Sequence, residues 1–170
     1  MVGKTIEWIR QEYKRISEDG SGTMSVSQGK THKYLGMTLD CTVIGISIIS
    51  ILEYFDEIMT AFEKMDPRKS GTKSSAAPEN PFKVDEDCEK LSQEKAKGFH
   101  NLVTKILLNT KRSRPDTCTS FTLITTRVRE PDINDWQKLA HLMKYLRKTR
   151  KLPLILGDGG AGILKWWIYE

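Results

Sequence analysis

Apolar residues change period several times along the chain, and each change marks an element. Ile6, Ile9, Tyr13 and Ile16 recur at helical spacing, which predicts a first helix ending before Asp19-Gly20-Ser21-Gly22. Met24 and Val26 alternate with polar residues as a short strand, followed by a turn at Gln28-Gly29-Lys30. Leu35, Met37 and Leu39 then repeat at period two, predicting a strand from Tyr34 to Cys41. The run Val43, Ile44, Ile46, Ile48 and Ile49 is strongly β-branched and predicts a third strand. Leu52, Phe55, Ile58, Met59 and Phe62 restore helical spacing.

The pattern lapses from Lys64 to Pro81, a stretch with Pro67, Pro78 and Pro81 and no Val, Ile, Leu or aromatic residue. A segment so poor in apolar surface cannot offset its ordering entropy and is expected to be a flexible linker. Beyond it, Phe99, Val103, Ile106 and Leu107 mark a helix from about Ser92 to Thr110. Pro115-Asp116 and Pro131-Asp132 read as two further helix starts, the second leading into Trp136, Leu139, Met143 and Leu146. Two strand-like runs, Leu152 to Leu156 and Ile163 to Tyr169, close the chain around a glycine turn. The expected class is α+β. Residues 1–63 form a helix, a small antiparallel sheet and a helix; 64–81 are the linker; 82–151 form a three-helix bundle; 152–170 form a β-hairpin.

Composition narrows the function classes. The longest uncharged apolar stretch, Val43 to Leu52, has about half the length a bilayer span requires. The N-terminus lacks the apolar core of a signal peptide, and Cys41, Cys88 and Cys118 are odd in number, so an intracellular setting with reduced thiols is expected. Net charge is +5 but unevenly spread: residues 95–151 hold 14 Lys/Arg against 4 Asp/Glu, a net of +10, whereas residues 1–94 carry −4. Such asymmetry points to a polyanionic partner or to a merely solvated basic surface. From Lys138 to Lys151 there are six Lys/Arg and no acid. Lys144, Arg147, Lys148 and Lys151 step by three, one and three, which places them on one helical face able to lie along a phosphate backbone. Arg150 lies in the same run, and Arg112 and Arg114 belong to a second cluster at a helix end.

Apparent catalytic motifs are weaker. Tyr54-Phe55-Asp56-Glu57 resembles a polymerase Tyr-x-Asp-Asp, but it sits in a helical pattern with its acids facing solvent rather than on a metal-binding hairpin. Gly157-Asp158-Gly159-Gly160-Ala161-Gly162 satisfies G-x-G-x-x-G without a helix to follow, so a hairpin turn is expected. Asp85-Glu86-Asp87 lacks EF-hand spacing, and His32, His100 and His141 have no partner at zinc spacing. No catalytic residue, metal or cofactor is expected on this chain.

The ordered set of short motifs is more specific than any one of them. Phe99-His100-Asn101-Leu102-Val103, Leu107-Leu108, Arg114-Pro115-Asp116, Asp135-Trp136 and Lys144-Tyr145-Leu146-Arg147-Lys148-Thr149 resemble, in order and spacing, the reverse transcriptase of copia-type LTR retrotransposon polyproteins. Lys33-Tyr34-Leu35-Gly36-Met37 is similar to that family's Phe-Leu-Gly strand. Three positions depart from the usual pattern: Thr104 for Gly, Asn109 for Tyr and Asp135 for His. The resemblance implies a primer-grip role for Tyr34, Leu35, Gly36 and Met37, and thumb and connection helices over residues 92–149. It also implies the opening of an RNase H domain at the end, with the palm carboxylates upstream of this chain. The partner would be a primer–template duplex, RNA–DNA hybrid or DNA, together with the missing palm, held without sequence specificity and without chemistry by Lys144, Arg147, Lys148, Arg150, Lys151, Arg112 and Arg114. A decayed remnant with no activity, or a basic helical module for an acidic protein partner, are the alternative readings.

Overall fold

A computed structural model describes residues 2–16, 26–67, 70–85 and 87–157. The elements are α1 (Val2–Ile16), β1 (Thr31–Tyr34), β2 (Met37–Asp40), β3 (Ile46–Ser50), α2 (Leu52–Met65), α3 (Gln93–Arg112), a 3₁₀ turn (Pro115–Thr117), α4 (Cys118–Thr126), α5 (Ile133–Lys148) and β4 (Leu154–Gly157). The α+β class expected from the sequence holds: helices accompany one antiparallel sheet of order β1-β2-β3-β4.

The core lies among the helices. Phe55, Ile58, Met59 and Phe62 of α2 pack with Phe99, Leu102, Val103 and Ile106 of α3, with Phe121 and Ile124 of α4, and with Trp136, Leu139, Met143 and Leu146 of α5. Each set repeats at three- and four-residue steps, which is why the periodic runs became helices with one buried face. Trp136 is the hub: its ring lies 5.9 Å from Phe62 and 6.5 Å from Phe99, and its indole N–H donates to Asp66 at 2.9 Å. The boundary drawn at residues 64–81 therefore does not divide the core, because α2 joins the three helices beyond it in one cluster.

Three sequence expectations change. The strand expected from Tyr34 to Cys41 begins only at Met37, since Leu35 (φ 48°) and Gly36 (φ 77°) form a two-residue turn between β1 and β2, with Tyr34 paired to Met37. Positive φ at both positions matches the twist of a hairpin. A leucine is unusual there, and Arg112 Nη1 holds it by donating to the Leu35 carbonyl at 2.6 Å. Likewise β3 starts at Ile46, because Gly45 (φ 76°) turns the chain and leaves Val43 and Ile44 exposed. Third, residues 70–85 are not a free linker. They lie along α5 as a strap, with Ala76 packed against the core and hydrogen bonds made to their backbone: Arg147 Nη1 donates to Gly71 O at 3.0 Å and Lys138 Nζ to Lys83 O at 2.6 Å, while His141 Nε2 lies 3.0 Å from Ser75 O.

The described part of the expected C-terminal hairpin is β4, which pairs with β3, Ile155 facing Ile48 and Leu154 facing Ile49. The run Ile163 to Tyr169, most of the glycine turn and Met24 of the short strand fall outside the described residues, among which Val26 has no strand partner.

Helix starts follow the polar signals. Ser92 caps α3 by accepting from Lys95 N at 3.4 Å. Asp132 and Asp135 form a capping box on α5, with Asp135 N donating to Asp132 Oδ1 at 2.8 Å and Asp132 N to Asp135 Oδ2 at 3.1 Å. Both carboxylates are buried and both are paired by Arg127, at 3.0 Å each. Removing one partner of a buried ion pair leaves an uncompensated charge, so Arg127→Met is expected to lower stability by about 3–5 kcal/mol. The exposed Arg129→Met should stay within about 0.5 kcal/mol. Urea denaturation of the two variants checks this, and equal midpoints would contradict it.

Candidate functional site

The basic run was expected to present one cationic face, but the fold sorts its members. α5 stops at Lys148, so Lys151 lies in the turn beyond it rather than on the helix. Arg147 turns away from the face: half-buried, it donates to Glu63 Oε1 at 2.8 Å and to the strap at Gly71. Arg150 pairs with Asp56 of α2. Lys144, Lys148 and Lys151 remain, and among the described residues none of them forms an ion pair; Lys148 Nζ approaches Ser74 Oγ only at 3.4 Å.

Arg114 is not a surface cation at all. It is 3% exposed and donates from Nε and Nη2 to the two oxygens of Asp116 at 2.9 and 2.7 Å. It also donates to Thr149 O at 3.1 Å and Thr149 Oγ1 at 2.7 Å, and lies 5.5 Å from the Tyr145 ring. The guanidinium thus ties the end of α3 to the end of α5, and burial removes it from any external ligand. Arg112 is likewise engaged, through the Leu35 carbonyl. Tyr34, Leu35, Gly36 and Met37 form the tip of the β1–β2 hairpin rather than one strand, with Tyr34 and Leu35 exposed.

Acids of the apparent catalytic motif face solvent as expected. Phe55 is buried in the core, while Asp56 and Glu57 are exposed on α2. Among the described residues no three His, Cys, Asp or Glu side chains cluster as a metal site would require, and the three cysteines are unpaired.

Sequence reasoning passed over the residues that join Lys144 on its own face. Lys138, His141, Lys144 and Lys148 step by three, three and four along α5, a stripe of about 15 Å at 1.5 Å per residue. At its N-terminal end the stripe enters a groove of about 620 Å³ between α5 and the strap, where Lys73 and Lys83 are added from the facing wall. These two escaped notice because their segment was read as linker. The available cations are thus mainly lysines of α5 and the strap.

One titration follows from the Arg114 cluster. Burial raises the carboxyl pKa of Asp116, but hydrogen bonds from Arg114 and Tyr145 and the Arg114 charge outweigh it, so the pKa falls below its ordinary 3.8. The Tyr145 hydroxyl, which donates to Asp116 at 2.7 Å, is shifted upward by that bond and by burial. A carboxylate with a depressed folded pKa contributes stability above its unfolded pKa and loses it as pH falls through the folded value.

Comparison with known proteins adds no relative: no protein-family model, curated protein or solved structure matches this chain. Nor is any helix among the described residues long and apolar enough to cross a membrane.

Asp116→Asn tests the cluster. The parent should lose stability as pH falls below about 4, and the variant, already weaker at neutral pH, should lose less over the same window. Urea midpoints at several pH values would show it; parallel pH curves for the two proteins would refute it.

Proposed function

We propose that this chain is a non-catalytic piece of a copia-type reverse transcriptase whose helical half holds a nucleic-acid duplex by its phosphate backbone without reading sequence. The observation that carries the reading is the survival of Lys144 and Lys148 on α5 and Lys151 in the turn beyond it as cations with no carboxylate paired to them among the described residues. The neighbouring arginines neutralise the acids that would otherwise compete: Arg147 takes Glu63 and Arg150 takes Asp56.

Phosphate contacts position a duplex and carry no sequence information, which suits a surface of lysines. Lys144 and Lys148, four residues apart on α5, span about 6 Å, roughly two phosphates of one strand at 3.4 Å each. The order of motifs supports the family reading, in which the β1–β2 hairpin tip at Leu35-Gly36 would approach a primer end, with Arg112 bracing it from α3. Chemistry in this reading belongs to palm carboxylates elsewhere in the polyprotein, and the basic helices contribute positioning alone. The setting is intracellular, where primer–template nucleic acid is met.

Fluorescence anisotropy of labelled DNA duplexes of unrelated sequence, and of an RNA–DNA hybrid, tests the reading at about 50 and about 200 mM salt. The parent should bind all of them and weaken steeply with salt. The Lys144→Ala/Lys148→Ala/Lys151→Ala variant should bind each more weakly and flatten the DNA salt slope by about 2.7, three phosphate contacts' worth. A parent that does not bind at low salt, or a variant that binds as tightly as the parent, would overturn the assignment.

A further inference from the structure

The groove between the strap and α5 is a larger concavity than a backbone-tracking face requires. Its about 620 Å³ falls within the usual range for a small-molecule site. Three ties hold its walls in place without a ligand. Lys73 N donates to Lys144 O at 3.3 Å, Lys138 Nζ donates to Lys83 O at 2.6 Å, and the His141 ring meets Ser75 O at 3.0 Å.

We propose that this groove binds a nucleoside phosphate, a ligand separate from the duplex that lies along the open end of the stripe. The lining divides by chemistry. Lys73 and Lys83 from the strap and Lys138 and Lys144 from α5 line one cavity, four lysines against Glu79 and Asp85. An excess of ammonium groups in a concave site concentrates an anion, and lysine serves phosphate as a point charge. Asn134 and Gln137, one turn apart on α5, line the same cavity. Their amides offer donor and acceptor together, the pairing that a base edge presents. Glu79 supplies an acceptor for ribose hydroxyls.

His141 contributes through its other nitrogen. With Nε2 donating to the Ser75 carbonyl, Nδ1 becomes the acceptor of the ring. An inorganic phosphate would satisfy the lysines but leave both amides unused, so the whole lining is matched only by a ligand with a phosphate at one end and a base at the other.

Titration of the full chain with mant-labelled ADP, followed by displacement with unlabelled ADP, adenosine and inorganic phosphate, tests the proposal. Saturable binding is expected, reversed by ADP and not by adenosine. Lys73→Ala/Lys144→Ala should weaken it by about tenfold or more, the effect of about 1.4 kcal/mol. Asn134→Ala, a separate change at an amide, should weaken ADP while leaving the dissociation constant of inorganic phosphate, derived from the displacement curves, unchanged. All variants would be compared by circular dichroism melting, so that a loss of fold is read as such and Asn134→Ala stands in for a double variant that unfolds. Lys148→Ala/Lys151→Ala should keep ADP affinity within about twofold while weakening duplex binding.

No saturable ADP binding by the parent overturns the proposal, as does a well-folded Lys73→Ala/Lys144→Ala variant that binds like the parent. Phosphate displacing as well as ADP would overturn the nucleoside assignment. The two readings fail separately: duplex binding without ADP binding removes the groove site alone, and ADP binding without duplex binding removes the proposed function alone.

Discussion

A buried guanidinium holds the helical half together. Arg114 stands where α3 ends, and its donors are distributed over Asp116 in the turn just beyond and over Thr149 just past the end of α5. A cation removed from water has to recover its solvation from fixed partners, and this one does so with a bidentate carboxylate, a carbonyl, a hydroxyl and an aromatic face. Because Thr149 lies 35 residues beyond Arg114, satisfying the charge fixes the relative position of two helix ends. It also fixes the point from which the chain departs for β4. The fourth strand then finds its place by pairing with β3.

Arginine and lysine divide the work of this protein along physical lines. Arg112, Arg114, Arg127, Arg147 and Arg150 all donate to groups within the fold, most of them to carboxylates. A planar fork of donors suits such fixed pairing, whereas a lysine is a hydrated point charge that gains less from it. Lysines consequently dominate the open surface. The formal +10 of residues 95–151 already counts Asp116, Asp132 and Asp135, and the pairing of Arg147 with Glu63 and Arg150 with Asp56 from outside the stretch lowers it by two more.

The helices were legible because their signals are local. Ser92, Pro115 and Asp132 mark starts that the structure places at those residues or next to them, and the spacing of Phe55 to Phe62 and of Trp136 to Leu146 marks the buried faces. The Leu35-Gly36 turn was hidden inside an alternating apolar run, because the residue that permits it, Arg112, is 77 positions away. The strap was hidden for a related reason: part of what holds residues 70–85 is a set of donors on α5, and no property of the segment itself announces them. Pattern also could not rank the basic residues. Arg114 and Lys144 look alike in sequence, and only the fold shows that one is sealed and the other open.

The sheet contrasts with all of this. Not one residue of its four strands is fully buried, so neither face is sealed by the core that immobilises α2, α3 and α5. Register in such a sheet rests on turn geometry and cross-strand pairs more than on burial. Opening it exposes little apolar surface that was not already wet, which sets its free energy of local unfolding well below that of the helical core. In amide hydrogen exchange the molecule would accordingly behave as two cooperative units, with β1 to β4 exchanging through small openings that leave Trp136 and its neighbours protected.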